Sequence, residues 1–124
     1  MWRSLSLLAL PLVLYSCSPP LVWGGDARTK DRLLKVLPLG SNVDQLKKEA
    51  SARRWQLSFA DNRVFEVGKE HYFGNGCQFK GGVSRNFVVA EYGPIFITSV
   101  ESVWMFDEDG KLGDVCVRST TDAL

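Results

Sequence analysis

Three cysteines, a single histidine and two closely spaced aspartates are the residues of this chain whose types could do chemistry. His71 has no cysteine or carboxylate at metal-ligand spacing, whereas zinc takes four ligands, or three with an open position. Glu70 and His71 are adjacent, so on a strand they would face opposite ways. A nucleophile pair of Cys77 and His71 would need a free thiol of lowered pKa. Asp107 and Asp109 before Gly110 suggest calcium, but an EF-hand loop would place its first ligand at Met105 and its closing glutamate at Cys116. The acidic run therefore reads as a hairpin turn. No Gly-x-Ser-x-Gly elbow is present, and Gly74-Asn75-Gly76 lacks the third glycine and the following helix of a phosphate-binding loop. The residues thus assign no catalytic group, no metal and no cofactor, and the chain reads as a non-enzyme.

What the third thiol does is set by what precedes it. Arg3, the apolar run from Leu5 to Tyr15 and the small Ser16 are the three parts of a secretory signal. The run is about eleven residues, short of the roughly 17–25 that a membrane-spanning helix needs. Leu14-Tyr15-Ser16-Cys17 resembles the lipobox of bacterial lipoproteins, with Tyr15 bulkier than the usual occupant of its position. The resemblance implies lipid attachment at Cys17: the thiol is diacylated (palmitate or a similar chain), the signal is cut before it, and the new amino group is often acylated too. Each buried methylene contributes about 0.8 kcal/mol and one chain holds only reversibly, so two or three chains make a lasting anchor. The alternatives are a plain signal peptide with an incidental cysteine, or an uncleaved anchor. Ser18 stands where an acidic residue would hint at inner-membrane retention, so the resemblance points to the periplasmic face of the outer membrane.

The division that follows is a signal peptide at 1–16, a lipidated Cys17 with a flexible Pro/Gly tether over 17–28, and one small domain over 29–124. About 108 residues remain after cleavage, enough for one compact domain. Removing Arg3 leaves 14 basic against 14 acidic residues. A neutral chain with scattered charges has no basic stripe for nucleic acid. With Cys17 acylated, Cys77 and Cys116 remain, and in an oxidising periplasm an even remainder reads as a disulfide. Closing a loop of about forty residues contributes roughly 3–4 kcal/mol in the chain-entropy model. Two buried free thiols, or a reactive Cys77 beside His71, are the other readings.

Hydrophobic periodicity places two helices ahead of a run of strands. Asp31 to Leu37 reads as a short helix stopped by Pro38. Ser41-Asn42-Val43-Asp44 has the shape of a capping box, and Val43, Leu46 and Ala50 fall on one face of the helix after it. Lys47, Lys48, Arg53 and Arg54 read as the solvated side of that helix. From Trp55 the period is two: Trp55, Leu57 and Phe59 alternate with polar residues. Arg63 to Val67, Asn86 to Tyr92, Ile95 to Phe106 and Lys111 to Arg118 continue as strands joined by short turns. The expected fold is α+β, two short N-terminal helices packed on an antiparallel sheet of about four to five strands. Among the aromatic residues Tyr72, Phe73, Phe96, Trp104 and Phe106, most belong to the core. Tyr72, Phe73 and Trp104 are the candidates for an exposed partner surface.

The order of parts is similar to the small outer-membrane lipoproteins of the SmpA/OmlA (BamE-like) type, and to the wider beta-lactamase-inhibitor-protein-like fold. The residues that carry this are Leu37-Pro38-Leu39-Gly40-Ser41-Asn42-Val43-Asp44-Gln45-Leu46 at the helix start and Phe106-Asp107-Glu108-Asp109-Gly110-Lys111-Leu112 at the last hairpin. Ala52-Arg53-Arg54-Trp55 departs from the group's usual Leu-Gly-x-Pro after the helix, and the Cys77/Cys116 pair is not part of its common pattern. The resemblance implies a membrane-anchored protein that binds another envelope protein as an accessory subunit or sensor. The alternative is an inhibitor of a periplasmic or host hydrolase. Peptide mapping without reductant is expected to find Cys77 linked to Cys116, and free thiols on both would end the disulfide reading.

Overall fold

The computed structural model describes residues 19–58 and 81–122 with their side chains, and the backbone alone of 63–65, 71–73, 77–79 and 123. Cys17 and Phe59 lie outside the described residues. Two helices pack on an antiparallel sheet, the α+β arrangement expected: α1 is Asp26–Val36 and α2 is Val43–Arg53. The strands are β1 (Gln56–Leu57), β2 (Arg63–Phe65), β3 (His71–Phe73), β4 (Cys77–Phe79), β5 (Gly82–Tyr92), β6 (Phe96–Phe106) and β7 (Leu112–Ala123). The sheet runs β1-β5-β6-β7, β2 also pairs with β5, and β3 with β4 forms a separate two-stranded hairpin. β5 is therefore paired on both sides over much of its length. Over residues 90–92 it pairs with β6 alone among the described residues.

The core lies between the helices and one face of the sheet. Leu33 and Leu37 from the first helical segment and Leu46 and Ala50 from α2 meet Phe87, Val100, Trp104, Phe106, Val115 and Val117. Alternation along β6 and β7 sends these strand residues to the helix side and Val103, Met105 and Cys116 to the opposite face. A register shift between Val88 and Ala90 adds one residue to β5, so Val89 and Ala90 both enter the core.

Local chemistry explains where each helix starts. The capping box sits one residue later than Ser41 would have it. Asn42 Oδ1 accepts from Gln45 N at 2.9 Å, and Gln45 Oε1 accepts from Asn42 N at 2.9 Å. Ser41 is otherwise engaged, its hydroxyl donating to Pro38 O and its carbonyl accepting from Leu112 N at 2.7 Å. Gly40 N in turn donates to Leu112 O, so the inter-helix connection is stitched to the start of β7.

The start of the first helix differs from expectation. The Pro/Gly content of residues 17–28 reads as a tether, yet Pro20–Val22 forms a 3-10 turn and Val22 is buried in the core. Arg32 Nη1 donates to Leu21 O and Trp23 O, which holds the turn against α1. The apolar pair Leu21-Val22 covers one end of the core, and Gly24 and Gly25, both at positive φ, reverse the chain into α1. The folded unit thus takes in residues well ahead of 29.

Gly82 sits where β5 passes the end of β6. A Cβ there would lie 2.0 Å from Phe106 O, and its φ is +123°. Gly110 has a comparable φ of +74° but open space around it. Gly110→Ala is expected to cost about 1–3 kcal/mol from backbone strain alone. Gly82→Ala should cost distinctly more, because backbone must also move; urea midpoints of the two variants check this order.

Candidate functional site

Trp104 organises the helix-side core and, through it, a groove on the flank of the domain. Its indole Nε1–H donates to Ser102 Oγ at 2.8 Å, and Ser102 Oγ donates to Phe87 O at 3.1 Å, so both polar groups are buried with partners. Trp55, in the bend between α2 and β1, stacks on Trp104 with ring centroids 6.0 Å apart and planes 24° apart. It also meets Phe87 at 6.5 Å in a tilted arrangement. Arg54 makes the bend possible by adopting the left-handed conformation at φ 59°, closing α2 and turning the chain into the sheet.

Where the end of α2 overhangs the β1–β5 edge, a groove of about 300 Å³ remains. Ala50, Trp55, Leu57 and Phe87 make its apolar walls, and Lys47, Ser51 and Arg85 its polar rim. Leu57 is 63% exposed, because β1 places it opposite Phe87 at the edge of the sheet where the helix no longer covers it. Arg53, paired with Glu49 at 3.3 Å, lies beside the groove with its guanidinium 6.0 Å from the Trp55 ring centroid. No acidic side chain lines the groove among the described residues. The arrangement can receive an apolar group and balance negative charge beside it.

The opposite face of the sheet carries a polar tie. Glu101 accepts from Ser58 Oγ at 2.6 Å, from Arg118 Nη2 at 3.0 Å and from Asn86 Nδ2 at 3.4 Å. It thereby joins β5, β6, β7 and the residue after β1. Burial pushes the Glu101 carboxyl up, but the hydrogen bonds from Ser58 and Arg118, the charge of Arg118 and the bond from Asn86 outweigh it and hold the carboxyl below its ordinary value of 4.5. A carboxylate so saturated with donors is built as an anionic anchor between strands.

The residues singled out from the sequence fall in different places. Trp104 is 0% exposed, which corrects its assignment to a partner surface: it sits mid-strand on the helix side, beneath Trp55. The backbone of Tyr72 and Phe73 is strand β3, paired with β4, and their side chains lie outside the described residues, as do those of His71 and Cys77. Cys116 is buried on the second face. Phe106 is core, whereas Phe96 is exposed. The groove residues Lys47, Trp55, Leu57 and Arg85 were not visible as a set. Lys47 reads as part of a solvated helix face, and Leu57 as the inward side of a strand. Only the early end of β1 and the overhang of α2 bring them together.

Among the described residues no three His, Cys, Asp or Glu side chains are grouped to hold a metal ion, and no helix is long and apolar enough to cross a membrane. No family model matches the chain, and no curated protein or solved structure is significantly similar to it.

The Glu101 tie carries a pH signature. A carboxyl whose pKa is lower in the folded chain than in the unfolded one contributes stability above its unfolded value, and loses it as pH falls through the folded one. The urea midpoint of the parent should therefore exceed that of Glu101→Gln near neutrality, with the gap closing as pH drops below about 4.5. A gap that stays constant into acid would contradict the role given to Glu101.

Proposed function

We propose that this chain is a non-enzymatic, lipid-anchored envelope protein that binds another envelope protein through the groove between α2 and the β1–β5 edge. The observation that carries the reading is the groove itself: an aromatic and aliphatic floor with Leu57 left exposed, rimmed by Lys47, Ser51 and Arg85. The occupant that fits is a segment of a partner presenting one apolar side chain flanked by carboxylates. Apolar anchors set in pockets dominate the energetics of such contacts, while rim charges govern encounter and partner choice.

The remaining parts of the reading rest on the sequence. Leu14-Tyr15-Ser16-Cys17 supports acylation at Cys17 and a place on the periplasmic face of the outer membrane. A disulfide at Cys116 would suit an oxidising compartment. We assign its partner as Cys77, a link that would tie the β3–β4 hairpin to the face of the sheet opposite the helices. The resemblance to the SmpA/OmlA lipoproteins supports an accessory role in a larger assembly.

A photo-crosslinking amino acid at position 57, in the full chain in intact cells, tests the reading. The expected result is one adduct with an envelope protein, joined at a segment rich in Asp or Glu, that weakens with Lys47→Glu and with added salt. The same probe at Glu108, exposed in the turn between β6 and β7, should give none. An adduct with a hydrolase that the purified protein inhibits would replace the accessory role by the inhibitor. No adduct at 57 while the chain remains folded and membrane-bound would remove the groove from the argument.

A further inference from the structure

The 3-10 turn at Pro20–Val22 changes what acylation of Cys17 would mean. Pro19 is two residues from Cys17, a reach of at most about 7 Å. Val22 is already part of the core, and Arg32 holds the carbonyls of Leu21 and Trp23. Little slack is therefore left between the anchor and the fold, and the part of the domain nearest Pro19 must lie close to the bilayer.

Topology identifies that part. Ser119 Oγ donates to Asp26 Oδ1 at 2.6 Å at the start of α1, and Lys30, one turn further on, pairs with Asp114 at 3.0 Å. The first helix thus runs away from the 119–123 end of β7, and the segment that precedes it lies at that end. Phe96 pairs with Ala123, so the turn between β5 and β6 is at the same end of the sheet. This turn, Gly93-Pro94-Ile95, exposes Ile95 at 65% and Phe96 at 60%, and Trp23 is 52% exposed on the incoming segment. The opposite end carries the turn Asp107-Glu108-Asp109-Gly110, which is acidic and exposed. The end nearer the anchor exposes Ile95 and Phe96 with Asp122 beside them, and the remote end exposes Leu39 next to its acidic turn.

We infer that the end of the domain formed by Trp23 and the β5–β6 turn is a lipid-contacting surface, with Ile95 and Phe96 set into the headgroup region beside the acylated Cys17. The inference rests on the anchor reading above. Aromatic and aliphatic side chains at a membrane–water boundary bury apolar area while their backbone stays hydrated. Membrane contact at this end adds to the acyl chains and fixes the stance of the domain, so that it stands end-on rather than swinging from its lipid.

The acylated full chain, purified in detergent and reconstituted into phosphatidylethanolamine/phosphatidylglycerol vesicles containing a diazirine-tailed phospholipid, provides the test, with metabolic palmitate labelling of the same preparation. The expected result is palmitate on Cys17 and lipid adducts concentrated at Trp23, Ile95 and Phe96, with none at 107–110. In Ile95→Asp with Phe96→Asp, both exposed positions, the adducts at the turn should be lost while palmitate labelling is unchanged. Palmitate on Cys17 with adducts absent, or spread equally over both ends, would overturn the lipid-contacting surface and leave the anchor standing. No palmitate on Cys17 would remove the anchor reading and this inference with it.

Discussion

Trp104 can be fully buried only because its indole N–H has a partner. Ser102, two residues back on the same face of β6, accepts that hydrogen bond and donates its own hydroxyl to the carbonyl of Phe87 on the neighbouring strand. Leaving either group unpaired would cost about 1–3 kcal/mol, a large share of the stability of a domain this size. The relay fixes the registry of β5 against β6 at the point where the core is widest. It also sets the height at which Trp55 stacks, and Trp55 in turn shapes one wall of the groove. The interior of the sheet and this aromatic groove are thus parts of a single packing arrangement.

Both sheet faces bury apolar residues, Val103, Met105 and Cys116 on the second, but that face adds a charged tie. On the helix side, burial of apolar area dominates, with Leu33, Leu46, Val100, Trp104 and Val115 all at or near zero exposure. On the other face Glu101 draws one donor from the residue after β1, one from β5 and one from β7. An ionised carboxylate in partial burial persists because those donors outweigh its lost hydration. The apolar side resists change with pH, and the polar side responds to it.

Periodicity carried much of the fold into view. The stripe Val43, Leu46 and Ala50, the long β-branched strand from Phe96, and the Asp107–Gly110 turn are each determined within a few residues. In the turn, Asp107 Oδ1 accepts from Asp109 N and Lys111 N, a purely local pattern. What escaped was set at longer range. The connection at Gly40 and Ser41 is held by Leu112, some seventy residues on, and the cap falls on Asn42. The segment at 20–25 looked like a linker by composition, since nothing local shows that Val22 will find the core or that Arg32 will reach back to it. Trp104 looked like a surface candidate because an aromatic residue on an alternating strand does not reveal which face the helices will cover. The groove was hidden for the same reason, being formed where α2 ends rather than by any residue pattern.

The lost slack at the N-terminus also bears on how a partner would approach. α2 begins at the Leu112 end of the sheet and rises toward Trp55, while the first helix descends beside β7. The groove therefore opens on the β1 flank, across the sheet from the β7 edge where the incoming segment packs. A domain standing on its Trp23 and Phe96 end would turn that flank parallel to the membrane plane. On the anchor reading proposed above, a groove so placed would face neighbours embedded in or seated on the same bilayer. Confinement to a plane raises the effective concentration of neighbours, so an apolar contact such as Leu57 would count for more there than between free molecules. On that reading anchor, stance and groove would constrain one another, because the turn at Pro20–Val22 packs the incoming segment on the fold and leaves the flank one direction to face.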